Sequence, residues 1–123
     1  MYKNEVKNIV EEVYPFIQAY YGKSKFNDEI PKIDYHHSIW ARITGIDNAE
    51  GDFMPAADFE RETNTIWIYY PEATDEKWVI QKLINEYSHY LQDGDEMPVA
   101  DLINGIYVQN TLPLSLIHIS EPT

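Results

Sequence analysis

The chain has 123 residues, of which 44% are hydrophobic, 14% aromatic and 24% charged, which fits one globular domain with a modest core. Cysteine is absent, excluding disulfides, thiolate zinc knuckles and a cysteine nucleophile. Residues 1–42 balance six basic against six acidic side chains, whereas residues 43–123 set three against fifteen and carry the whole net charge of −12, so nucleic acid is not an expected partner.

Residues 2–21 place Val6, Ile9, Val10, Val13, Ile17 and Tyr20 at helical spacing. Pro15 interrupts this pattern and predicts a kinked or split helix, with Gly22 as its stop. Residues 23–30 are polar and read as a loop. Residues 32–43 then alternate, Ile33, Tyr35, His37, Ile39 and Ile43 on one side, which predicts a half-buried strand. His37 is expected to be a hydrogen-bonded core histidine. His36 and His37 cannot chelate together from a regular strand, because neighbouring side chains face opposite ways.

Residues 45–63 carry Gly45, Gly51, Pro55 and six acids, and read as a loop or a hairpin connection with an irregular insert. They lack the spacing of a calcium-binding EF-hand loop. Residues 64–70, Asn-Thr-Ile-Trp-Ile-Tyr-Tyr, form the clearest strand, ended by Pro71. A second helix is expected from Thr74 or Asp75 to about Gln92, with Ile80, Leu83, Ile84, Tyr87 and Leu91 as its buried stripe and Gly94 after its end. A third helix is expected after Pro98.

Residues 85–89 read Asn-Glu-Tyr-Ser-His. Positions 85 and 89 lie one turn apart on one helix face, with Glu86 at its edge. This is the layout of His-Glu-x-x-His, in which two imidazoles bind zinc and the glutamate takes a proton from the metal-bound water. The plainer reading is a surface helix with a histidine near its C-terminal end, where a positive charge is favourable.

The stretch Ile66–Pro71 followed by Trp78–Gln92 resembles the core of small zincin-type metallopeptidases, including phage-type and ImmA/IrrE-like members. The resemblance spans roughly residues 30–94 and is most specific at 80–92. It implies an α+β, zincin-like fold: an N-terminal helix, a small antiparallel or mixed sheet with an edge strand, then the active-site helix. It also implies zinc, peptide-bond hydrolysis by metal-activated water, Glu86 as general base and His89 as a metal ligand. Trp67 and Tyr69, on the strand before the helix, are the expected substrate-binding residues, holding an extended peptide by edge pairing.

The chain departs from that family where the first zinc histidine belongs, at Asn85. An amide oxygen is a poor partner for zinc, which prefers imidazole and thiolate, so zinc binding is expected to be weakened or lost. Asn85 marks an inactive relative or a single-base change. The third ligand of a metzincin-like site falls at Asp95, although the glycine expected at 92 is Gln92. A gluzincin-like site needs a later glutamate, which the chain does not offer convincingly. Residues 114–123, Leu-Ser-Leu-Ile-His-Ile-Ser-Glu-Pro-Thr, resemble translated sequencing-adapter read-through. The expected domain is therefore residues 1–113, incomplete at its C-terminus, with 114–123 a non-native tail and His118 and Glu121 outside any site.

No apolar run reaches the ~18–20 residues of a membrane span, and no secretory signal is visible. The expected partner is a peptide or protein substrate, without membrane, and the expected location is the cytoplasm. Two other functions stay open: a catalytically dead peptide-binding or regulatory module on the same scaffold, and a small acidic structural protein.

Overall fold

A computed structural model describes residues 1–92. The expected third helix, Asp95 and the tail lie outside the described residues.

Helix α1 (Lys3–Tyr21) buries Val6, Ile9, Val10, Val13, Tyr14 and Ile17. Its first turn is held by the Glu5 carboxylate, which accepts the Tyr2 N–H at 2.9 Å. Pro15 does not split it. Proline removes the N–H that would have reached the Glu11 carbonyl. Both residues lie on the exposed side, where that carbonyl is open to solvent, and the buried stripe on the other side stays continuous. The stripe ends earlier than its spacing suggests, since Tyr20 is 43% exposed.

Strand β1 (Lys32–His36) is shorter than the alternation predicts. Ser38 stops it by accepting the Ala41 N–H at 2.9 Å, which caps a short helix, α2 (Ile39–Thr44). Ile39 and Ile43 therefore belong to a helix, and Ile43 is 64% exposed. His37 falls at the bend between the two elements, half-buried and edge-on to Tyr70, and is not a core histidine.

The acidic segment contains strand β2 (Ala57–Glu60), which turns through residues 61–64 into strand β3 (Thr65–Tyr69). Asn64 takes a positive φ of 51° there, a conformation asparagine tolerates better than most residues. The sheet order is β1-β3-β2, with β1 parallel and β2 antiparallel to β3. Pro71 falls in a single 3₁₀ turn (Tyr70–Glu72). Helix α3 (Glu76–Leu91) follows, capped by Asp75, which accepts the Trp78 N–H at 2.8 Å.

Among the described residues, three helices and a small mixed sheet make an α+β fold. Ile66 and Ile68 of β3 meet α1 and α3 in one core with Val79, Ile80, Leu83, Ile84, Tyr87 and Tyr90. Leu91 packs only partly against it. No helix among the described residues is long and apolar enough to cross a membrane.

Tyr90 ties α3 to the loop after α1. Its fully buried hydroxyl accepts the Ser24 N–H at 3.0 Å and donates to the Asn27 carbonyl at 2.7 Å. Tyr90→Phe keeps the ring and strands both backbone groups, and the expected loss is about 1–2 kcal/mol by urea unfolding. A loss under about 0.3 kcal/mol would mean that water replaces the hydroxyl.

Candidate functional site

Helix α3 runs under β2 and β3. Its 3.6-residue period sends Leu83, Ile84, Tyr87 and Tyr90 into the core and sets Asn85, Glu86 and His89 at the border, half-buried. Within the helix, Ser88 donates its hydroxyl to the Asn85 carbonyl at 2.6 Å.

Burial pushes the Glu86 carboxyl up to about 7, the nearby Asp58 charge raises it further, and Lys82 offsets part of the rise. A carboxylate shielded from water and facing another anion holds its proton more tightly. The result is a group balanced between acid and base near neutral pH, the condition for efficient proton transfer.

Above the helix, Asp58 of β2 is the residue through which several charges meet. Burial raises its carboxyl first, and Glu60 adds to the rise. Arg42, the Phe59 N–H and His89 pull it back down. Arg42 reaches over from α2, donating from Nη2 to Asp58 Oδ2 at 2.9 Å and from Nε to the Tyr69 hydroxyl at 3.0 Å. Its other nitrogen lies 3.4 Å from Glu60, and the guanidinium stacks 4.8 Å above the Trp67 ring. Trp67 also donates to Glu60 Oε1 at 3.2 Å; the Thr63 hydroxyl bond first, and then this one, hold the Glu60 carboxyl below its usual range.

The placement of Trp67 and Tyr69 differs from the expectation. Their strand, β3, is the central one, paired on both sides, so it has no edge to offer a peptide. Tyr69 is moreover fully buried. The edge nearest Glu86 belongs to β2. Tyr69 N–H donates to the Ala56 carbonyl at 3.1 Å, and antiparallel bonding alternates. Asp58 and Glu60 thus turn their backbone groups inward to β3, while Ala57 and Phe59 turn theirs outward.

Zinc at a catalytic site takes three protein ligands and a water. Among the described residues, no three His, Cys, Asp or Glu side chains gather as a metal-holding group. Here α3 supplies one imidazole, His89, and an amide at Asn85, a donor set that does not meet that requirement.

Arg42 and Asp58 were not legible as site residues. Arg42 sits in an alternating stretch that reads as strand, and Asp58 is one of six acids in a segment that reads as irregular. The available signal was the Ala-Asp-Phe-Glu alternation before Arg-Glu-Thr-Asn, a short hairpin pattern. Comparison with known proteins leaves the family open: no protein-family model, curated protein or solved structure matches this chain.

Proposed function

We propose that the chain is a zincin-type metallopeptidase-like domain whose reactive helix is α3, and that Asn85 leaves it deficient in zinc. The observation that carries this reading is the position of Glu86 and His89, one helical turn of α3 beneath the sheet edge formed by β2. Glu86 takes the role of proton acceptor for a water attacking a peptide carbonyl, and its raised proton affinity suits that role. An extended peptide pairs with the outward groups of Ala57 and Phe59 rather than with β3.

The test is zinc content by elemental analysis of the purified chain beside Asn85→His. The expected result is little metal in the first and about one zinc per chain in the second, since imidazole replaces an amide oxygen. A folded Asn85→His protein that takes up no more zinc than the native chain would favour a surface helix or a missing third ligand, and one that stays metal-free in a longer chain carrying a later glutamate would remove the reading.

Asn85 itself favours a second reading, a catalytically dead peptide-binding module on the same scaffold. That module binds peptides along β2 with an affinity that chelators leave unchanged.

A further inference from the structure

Among the described residues the sheet has a second border, opposite β2, formed by β1. The Lys32 N–H donates to the Asn64 carbonyl at 3.1 Å, and the register runs Lys32↔Thr65 to His36↔Tyr69. In a parallel ladder alternate residues bond to a given neighbour. Lys32, Asp34 and His36 therefore serve β3, while Ile33 and Tyr35 turn their N–H and carbonyl groups outward. Such a border is a template for another strand.

One of those outward donors is already taken. The Tyr35 N–H donates to its neighbour's side chain, Asp34 Oδ1, at 2.9 Å, in an exposed position. Beside the border runs an open groove of about 260 Å³, walled by Val10, Glu11, Tyr14 and Pro15 of α1 and by Ile33 and Tyr35. Among the described residues the groove is open to solvent.

The occupant that fits best is a second copy of this chain. Residues 1–42, which build α1 and β1, carry no net charge, whereas the other described residues, 43–92, set three basic against ten acidic side chains. Two copies therefore meet with least repulsion at this border. Antiparallel pairing of β1 with β1 about a two-fold axis has one register that uses all the outward groups, Ile33 opposite Tyr35, with four backbone hydrogen bonds. Shifting the axis to Ile33 sets Tyr35 opposite Pro31, which has no N–H to give. The favoured register places Asp34 directly opposite the second copy's Asp34, at a non-hydrogen-bonded position with Cα atoms about 4.5 Å apart. Like charges there oppose pairing.

We propose that the β1 border is a self-association surface held closed by Asp34, which occupies the Tyr35 N–H and opposes its own copy across the two-fold axis. The inference does not depend on the reading of α3. Neutralising Asp34 with a strand-forming residue opens the border.

The experiment is sedimentation velocity over a concentration series, with amide hydrogen exchange, on the native full chain and on Asp34→Thr. The expected result is self-association at least about tenfold tighter in Asp34→Thr, with the Ile33 and Tyr35 amides gaining protection as concentration rises. If Asp34→Thr fails to fold, Asp34→Asn removes the charge at nearly constant shape and is expected to shift the same way. A folded neutral variant that associates no more tightly than the native chain overturns the proposal. So does association that protects Ala57 and Phe59 instead, or a native chain already paired through β1.

Discussion

Glu86→Gln is expected to be more stable than the native chain near pH 8 and equally stable near pH 4. The folded protein holds this carboxyl at about 7, against an ordinary 4.5. Between those values the folded state binds more protons than the unfolded state, so stability falls as pH rises through the window. Above it, the buried carboxylate costs about 3 kcal/mol, at roughly 1.4 kcal/mol per unit. Below about pH 4.5 both states are protonated and the cost is gone. Glutamine resembles the protonated acid and avoids the cost throughout. Urea unfolding of both proteins at the two pH values measures the difference. A less stable Gln variant near pH 8 would mean that the carboxylate has a stabilising partner. A residue that costs stability at working pH is best understood through its chemistry. On the proposed reading, adding Glu86→Gln to Asn85→His lowers peptide hydrolysis by about 10²–10⁴-fold.

Arg42→Met is expected to destabilise the protein by about 2–3 kcal/mol. The guanidinium, with its side chain 14% exposed, joins α2 to both strands of the hairpin through Asp58, Glu60 and Tyr69. Methionine keeps some of the packing on Trp67 and leaves two carboxylates facing each other without the guanidinium between them. Breaking a fully buried ion pair costs roughly 3–5 kcal/mol. The figure here is smaller because Asp58 and Glu60 remain 37% and 29% exposed and recover some hydration. Arg42→Lys is expected to fall between, since one ammonium cannot reproduce the planar fork. A loss below about 1 kcal/mol for Arg42→Met, read from denaturant midpoints, would show that the carboxylates rehydrate fully.

Helices α1 and α3 and strand β3 were legible because each carries a strong local signal. In α1 that signal is the stripe from Val6 to Ile17. In α3 it is the Asp75 cap followed by Ile80, Leu83, Ile84 and Tyr87. In β3 it is the run of strand-forming residues from Thr65 to Tyr70, between Asn64 and Pro71. Position 38 misled because the alternation of apolar residues continues to Ile43, while the Ser38 hydroxyl offers the backbone a helical start instead. One side-chain hydrogen bond outweighs a pattern that no burial enforces, as Ile43 faces water. Strand β2 was hidden for a different reason. Its acidic residues resemble a solvated loop until Arg42, sixteen positions before Asp58, supplies the cation that makes them compatible with a sheet face. The same distance along the chain kept Asp58 out of the candidate site, whereas Glu86 and His89 share a single turn of helix.

The tyrosine hydroxyls set a limit of another kind. Tyr14 donates to the Pro31 carbonyl at 2.6 Å and Tyr87 to the Gly22 carbonyl, each joining a helix to the loop after α1. Burial pushes the phenols of Tyr14, Tyr35 and Tyr87 well above their usual 10. The unfolded chain ionises these groups first, so alkali draws the protein toward the unfolded state once the pH passes about 10. In an ultraviolet titration these three phenols hold back, then ionise together as the core opens, so their phenolate absorbance in alkali doubles as a record of the fold's collapse.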